Sequence, residues 1–482
     1  MVNTIDWNSL VNQILVLTAE LIYIGLIVGT IIVIVLDNRN PVKTLCWILI
    51  LTFLPVIGLI FYYFFGRTTR RERIIERSTY DRLLKKPMAE YLAQDTCEIP
   101  TQYEKLADLL IRTNESFPFE GNYIDTYTNG YSMMQSLVKE LYKAKQHIHI
   151  QFYILRDDAI GKLVRDVLID KAREGVEVRV IYDDVGSWST DNRFFEEMRD
   201  AGIEVRAFLK VRFPLFTSRV NYRNHRKIVV IDGQVGFVGG MNVAERYFKG
   251  MTWGIWRDTH LCIKGRAVHG LQTAFLLDWF FVDQTLISSS KYFPHIPSAN
   301  TSIIQIATSD PIGPWKEIMQ ALVVAISGAK SYFYMQTPYF LPTEPVLTAM
   351  QTAALSGVDV RLMIPEKGDS RLTNLASHSY IDDVLRAGIK VYMYQKGFLH
   401  AKMMVSDDAF CTVGSTNVDF RSFEHNFEVN AFIYDTETSL QMKEIFLQDQ
   451  RDCIQISHKK WGKRPFGRKL IESLVRLFSP LL

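Results

Sequence analysis

The sequence predicts an α/β protein: an N-terminal two-helix transmembrane hairpin, then two pseudo-symmetric α/β repeats with one site at their interface. Three observations lead there. Two long apolar runs fill most of the first 65 residues. Beyond residue 112, strand-like and helix-like stretches alternate, and the alternation is played through twice. Each half then ends in one polar pattern. The first copy is His225-x-Lys227-x4-Asp232, followed by Gly239, Gly240 and Asn242. The second is His400-x-Lys402-x4-Asp407, followed by Gly414, Ser415 and Asn417.

Ile14 to Leu36 is apolar apart from Glu20. At 1.5 Å per residue it reaches roughly 34 Å, enough for a hydrocarbon layer of about 30 Å. Thr44 to Phe65 is a second run and carries no charge; Pro55 and Gly58 within it are tolerated in a membrane helix. The turn-rich stretch Asp37 to Lys43 would close the hairpin. Arg67, Arg70, Arg71, Arg73 and Arg77 follow the second run, against Arg39 and Lys43 in the loop. The positive-inside rule therefore puts residue 66 onward, and the N-terminus, in the cytoplasm of a multi-pass cell-membrane protein. A cleaved signal peptide is disfavoured, because the first thirteen residues carry no basic side chain.

Residues 67–112 read as a charged linker. The first repeat, 113–297, contains an amphipathic helix after Tyr131 and the strand His147 to Tyr153. A helix over Lys162 to Glu174, the strand Val176 to Tyr182 and a helix over Asn192 to Asp200 follow. The second repeat, 298–455, runs in parallel: helix Trp315 to Ser327, strand Ser331 to Gln336, helix Val346 to Leu355, strand Val358 to Ile364, helix Ser379 to Arg386. The motif regions, 219–246 and 395–422, come next. Alternation along a strand would place the His and Lys of each motif on one face. Strands Lys227 to Ile231 and Lys402 to Val405 then enter tight turns, and the glycines let backbone approach closely. Residues 456–482 form a basic tail in which positions 470, 471, 474, 475, 477 and 478 are apolar, the pattern of an interfacial helix drawn to anionic lipid.

The net charge of +3 over 482 residues is too small to argue for nucleic-acid binding. The five cysteines are scattered, without zinc-site or disulfide spacing, and read as reduced packing residues.

Paired His-x-Lys-x4-Asp-x6-Gly-(Gly/Ser)-x-Asn motifs resemble those of the phospholipase D superfamily. With the two-span anchor, the chain is similar to the bacterial cardiolipin synthases. Asn38-Arg39-Asn40-Pro41, Trp47, Leu54-Pro55, Gly58, Phe65-Gly66 and the C-terminal Ser479-Pro480-Leu481-Leu482 extend the resemblance over nearly the whole chain. It implies a phospholipase D-like fold and transfer of a phosphatidyl group between two phosphatidylglycerol molecules, giving cardiolipin and glycerol. It also implies a phosphatidyl-histidine intermediate, with no cofactor and no metal. His225 is taken as nucleophile and His400 as acid and base, an order that near-symmetry leaves open. Histidine suits both roles because its reference pKa is about 6.5. Lys227, Lys402, Asn242, Asn417 and Ser415 would bind phosphate oxygens. Asp232 and Asp407 complete the catalytic motif or fix its turns. Asp258 and Glu428 are the candidates to orient the histidines.

A histidine outside such a pair is more often a satisfied core or surface residue, the reading given to His147, His149, His260, His269, His295, His378, His425 and His458. The aromatic stretch Val211 to Phe216 suits lipid contact and core packing about equally. The expected partners are anionic phospholipid and the membrane, with no nucleic acid, and homo-oligomerisation is left open. The rival classes are a hydrolase that would release phosphatidic acid, a transferase with another alcohol acceptor, a nuclease and a non-enzymatic membrane scaffold.

Overall fold

The computed structural model describes residues 7–36, 41–62, 97–211, 221–297 and 301–481. The arginine cluster at 67–77, most of the linker, the hairpin loop over 37–40 and the aromatic stretch over 212–216 lie outside these residues. The rest divides into an N-terminal helical unit and a large α/β unit.

In the helical unit, Trp7–Leu36 is one continuous helix. Its Val11–Leu36 portion is long and apolar enough to cross a membrane, and is the only described helix that is. The second apolar run departs from the expected single span. It is broken into Pro41–Phe53 and Pro55–Phe61, with Leu54 outside the helical region at φ −133°. Proline disfavours helical backbone in the residue before it and offers no N–H, so the break falls at Leu54-Pro55. Ile34, Leu51 and Tyr62 form the small core of this unit, with Trp47 edge-on to Tyr62 at 5.4 Å.

The α/β unit is built on one long sheet assembled from two equivalent halves. The first half contributes β1 (Pro118–Tyr127), β2 (His147–Phe152), β3 (Glu177–Asp183), β4 (Glu204–Phe208), β5 (Ile228–Ile231), β6 (Val235–Gly239) and β7 (His260–Lys264). The second contributes β8 (Ser302–Ser309), β9 (Tyr332–Gln336), β10 (Asp359–Pro365), β11 (Lys390–Tyr394), β12 (Met403–Ser406), β13 (Phe410–Gly414) and β14 (Asn426–Tyr434). Across the sheet the first half reads 4-3-2-5-6-7-1 and the second 8-14-13-12-9-10-11, with β15 (Cys453–Ile456) on the far edge. The two orders are mirror lists of equivalent strands joined at β1–β8, so the pseudo-two-fold relation expected from the repeats is present.

Within each half three strands run parallel, and helices make the crossovers. Side-chain caps start these helices where the sequence offers them: Asp158 accepts from the N–H groups of Ile160 and Gly161, and Asp435 from that of Thr438. The strands of the motif hairpins are buried except at Val235, and β14 beside them is buried along its whole length. One apolar cluster runs through the joint, from Val238 and Leu261 in the first half to Val413, Val429 and Ile433 in the second. The halves therefore share a core and cannot part without exposing it.

Candidate active site

The site is made by two short parallel strand pairs that cross from one half to the other. Arg223–Asn224 pairs with the start of β14, Arg223 opposite Asn426 and Asn224 opposite Phe427. Gly397–Leu399 pairs with Ile255–Arg257, ending with Leu399 opposite Arg257. One residue further along each register, His225 faces Glu428 and His400 faces Asp258. The backbone carries this through: His225 N–H donates to Phe427 O at 2.9 Å, and His400 N–H to Arg257 O at 2.6 Å.

The side chains complete the exchange. His225 Nδ1 lies 3.0 Å from both carboxylate oxygens of Glu428. His400 Nδ1 lies 2.6 Å from Asp258 Oδ2. Each histidine thus takes its carboxylate from the opposite repeat, and neither half-site is whole alone. One expectation needs correcting here. The His-x-Lys segments are not on single strands; 225–227 and 400–402 lie between the crossing strands and β5 or β12. Ladder pairing cannot begin earlier, because each histidine N–H is committed to the opposite half.

Both lysines are buried, Lys227 completely. Each bends its ammonium back to the carbonyl of its own histidine, and Lys402 Nζ also approaches His400 Nδ1 at 2.9 Å. Among the described residues, neither ammonium has a carboxylate within ion-pair distance. A buried cation without a counter-ion is costly. Burial accordingly pushes Lys227 well below its ordinary pKa and Lys402 down to about 8. An anion beside these two amines would favour the charged form that burial disfavours.

The imidazoles are neutral in this state. Burial lowers His225 to about 4, against the pull of Glu428. Burial and the neighbouring Lys402 lower His400 to about 3. Burial alone would raise the two carboxylates, but His225 and Lys227 hold Glu428 below the usual range, and His400 and Lys402 do the same for Asp258. An ionised carboxylate against a neutral imidazole assigns the proton to Nδ1, which leaves the Nε2 lone pair directed away from the carboxylate.

The remaining expected residues divide. Asn242 is buried and engaged: its Oδ1 accepts from Ile154 N–H at 3.0 Å and its Nδ2 donates to Tyr247 Oη at 2.5 Å. Asn417 Oδ1 is buried and has no hydrogen-bond partner among the described residues. Ser415, expected among the phosphate ligands, instead directs its hydroxyl to Glu428 Oε2 and accepts from Val429 N–H at 3.0 Å. Asp232 and Asp407, expected with the catalytic set, are not brought into the cluster. Asp232 accepts from the N–H groups of Lys145, Gln146 and His147 at 2.8–2.9 Å. Asp407 accepts from Lys330, Ser331 and Tyr332 at 2.8–3.0 Å. Both occupy left-handed turn positions, at φ +53° and +52°, and tie the motif hairpin to the start of β2 or β9.

The Gly240/Ser415 difference has a steric origin. A Cβ on residue 240 would lie 2.1 Å from Asp258 Oδ1. The shorter aspartate therefore needs glycine, whereas the longer Glu428 leaves room for a serine that hydrogen-bonds to it.

Several contributors had no sequence signal of comparable strength. Arg226 links the Glu428 carbonyl to Asp278, with Gln151 and Asn224 on the same carboxylate. Gln336 of the second half and Arg257 of the first converge on Asp449. A glutamine at or next to the end of a buried strand in both repeats was the available clue. Tyr153 stands edge-on to His225 at 5.1 Å, and Trp256, Phe398 and Tyr247 surround His400 at 5.2–6.0 Å. These rings dry the site. His147 and His149 are buried at the start of β2 against Gln272.

Comparison with known proteins fits this arrangement. A family model described as "Cardiolipin synthase, PLD-like domain" matches residues 137–268 and 322–450. One described as "Phospholipase_D-nuclease N-terminal" matches 25–67. A cardiolipin synthase of Geobacillus kaustophilus is 39% identical over 472 residues, covering 97% of this chain and 93% of that protein. Cardiolipin synthase 2 of Bacillus anthracis is 40% identical over 461 residues, covering 93% and 89%. Among solved structures, phosphatidylserine synthase of Haemophilus influenzae aligns with a TM-score of 0.62 at 12% identity, over 80% of this chain and all of that one, which speaks to fold alone. On these matches, with the phospholipase D-like fold present in two copies, the chain belongs to the cardiolipin synthase family.

Proposed function

We propose that the protein is a membrane-bound phosphatidyltransferase that makes cardiolipin from two molecules of phosphatidylglycerol and releases glycerol. The observation that carries the reading is the pair of buried lysines, Lys227 and Lys402, without a carboxylate partner among the described residues, flanking two carboxylate-oriented histidines. A phosphodiester anion supplies the charge these cations lack. Its arrival also raises the histidine pKa values, which lets His400 hold a proton.

In the first step Nε2 of His225 attacks phosphorus of the donor lipid. The bond from phosphorus to the headgroup glycerol oxygen breaks, and His400 gives that oxygen its proton. Glycerol departs and the phosphatidyl group is left on His225. In the second step the now neutral His400 takes the proton from a headgroup hydroxyl of the acceptor phosphatidylglycerol. That oxygen attacks phosphorus, the phosphorus–nitrogen bond breaks, and cardiolipin is formed. Splitting the exchange replaces one difficult displacement by two easier ones. Glu428 and Asp258 stabilise the cationic imidazoles, as a carboxylate does in other histidine-centred sites. Lys227, Lys402 and Asn417 receive the charge that builds on the non-bridging oxygens. Ser415 acts on Glu428 rather than on substrate, and Asp232 and Asp407 position their hairpins.

The finer topology belongs to the same proposal. Residues 113–297 and 298–455 are the two repeats. Thr44 to Phe65 crosses the bilayer as a second span to complete the anchor, and the arginines after residue 66 keep the catalytic unit on the cytoplasmic face. The test is the purified full chain with phosphatidylglycerol vesicles, scored for cardiolipin and glycerol in equal amounts. Phosphatidic acid as the main product would replace transfer by hydrolysis. Undiminished synthesis by His225→Ala would remove the mechanism.

A further inference from the structure

The last helix, Phe466–Arg476, is docked with its polarity reversed. A helix on a soluble protein ordinarily buries its apolar stripe and shows water its charges. Here a carboxylate is turned inward and draws arginines to it. Glu472 is 1% exposed and pairs with Arg464 at 2.7 Å and Arg468 at 3.0 Å. Arg476 reaches Asp383 at 2.8 Å and lies over the Tyr380 ring at 4.0 Å. These contacts seat the helix on the two helices Arg371–Ser379 and Ile381–Arg386. The apolar side is left open: Phe466, Leu470, Ile471, Leu474, Leu477 and Phe478 are all exposed, Phe466 by 79% and Leu477 by 74%. Positions 466, 470, 474 and 477 follow helical spacing, so the six side chains make one continuous patch.

We infer that this patch is a membrane-docking surface that lies in the headgroup–acyl boundary of an anionic bilayer. Three features select lipid as its occupant. The chain carries its own span, Val11–Leu36, so a bilayer is a constant neighbour. Lys459, Lys460 and Lys463, on and just after the preceding helix His458–Gly462, are exposed and complement anionic headgroups. The inward charge pairs fix the helix in place before any partner arrives, so docking needs no folding of the segment. A patch of large side chains beside a basic cluster is the composition of an interfacial helix. Such docking would hold the catalytic unit against the surface from which its substrate comes. The inference rests on exposure and charge, and stands whichever reaction the site performs.

The test places a photo-crosslinking amino acid at position 474 of the full chain, reconstituted in vesicles of phosphatidylglycerol and phosphatidylethanolamine. A second preparation carries it at Lys396, on an exposed loop. The expected result is a mass increment of one phospholipid at 474 and not at 396, falling severalfold when phosphatidylcholine replaces phosphatidylglycerol. A crosslink to a second copy of the chain, or no lipid adduct, overturns the inference. A Leu470→Ser/Leu474→Ser/Leu477→Ser variant supplies an independent readout. It is expected to melt as the parent does and to keep turnover on detergent-dispersed lipid, while losing about tenfold on vesicles. Equal turnover on vesicles would overturn the inference as well.

Discussion

Gly240 and Asp258 form a unit that a single methyl group should break. In Gly240→Ala the new Cβ would stand 2.1 Å from Asp258 Oδ1, where ordinary contact begins near 3.4 Å. The backbone at 240 cannot yield easily, because its N–H is tied to Thr259 O at 3.0 Å. The carboxylate must therefore retreat by more than about 1 Å, and its 2.6 Å contact with His400 Nδ1 is lost. Losing a hydrogen bond to a charged group costs about 1.5–3 kcal/mol. If that cost falls on the transition state, turnover drops by about 10 to 10², at roughly 1.4 kcal/mol per tenfold. The assay is cardiolipin formation by the purified variant, with a melting curve to confirm that it folds. The second repeat suggests the rescue: Gly240→Ser combined with Asp258→Glu copies the Ser415–Glu428 pair into the first half. The double variant should exceed Gly240→Ser alone by at least about tenfold, since neighbouring sites couple. Gly240→Ala with turnover within about threefold of the parent, or a double variant no better than the single, would refute the coupling.

Three further outcomes follow from the same geometry. Lys227→Met removes a buried ammonium that has no ion pair, so the protein should hold or gain stability by about 1–3 kcal/mol, while synthesis falls by at least about 10²; a lower melting temperature would contradict this. Asp232→Asn weakens three backbone contacts at a turn and should cost about 1.5–3 kcal/mol of stability, with turnover of the folded fraction within about threefold. Acid should destabilise the α/β unit early. Burial pushes His147 and His269 down to about 4, so between pH 6.5 and 4 the unfolded chain binds protons that the folded one refuses. Their stabilisation is complete above pH 6.5 and lost as pH falls through that window, on the order of 3 kcal/mol for each. Denaturation midpoints at pH 7, 5.5 and 4.5 check this, and a flat profile would contradict it.

Much of the fold was legible in the sequence, because repetition is visible without coordinates. The alternating pattern and the two motifs placed the elements they named to within a few residues, Asn192–Asp200 without error, but gave no sign of helices Val268–Asp283, Arg371–Ser379 and Thr436–Gln450 or of the central strands β1, β7, β8 and β14. Other features depend on three-dimensional register. That His225 faces Glu428, 203 residues away, follows only from a two-residue parallel pairing between halves. Offsets count positions along one chain and are silent about which carboxylate crosses to which histidine. Ser415 was placed among the phosphate ligands because it stands in the motif; its hydroxyl is claimed by Glu428, a neighbour that motif position does not reveal. The His-x-Lys segments looked like strand because their flanks are strand. The second apolar run passed the test of length and composition, but the Leu54–Pro55 step interrupts the helix, a local backbone effect that hydropathy does not measure.

The most direct test of the composite site is to trap its covalent intermediate. The full chain is mixed with phosphatidylglycerol carrying labelled phosphorus, quenched within one turnover under conditions that preserve phosphohistidine, and mapped by peptide. The predicted result is label on the peptide containing His225, absent from His225→Ala. Label on His400 alone would reverse the assigned roles. Turnover with no labelled histidine would contradict the covalent route itself.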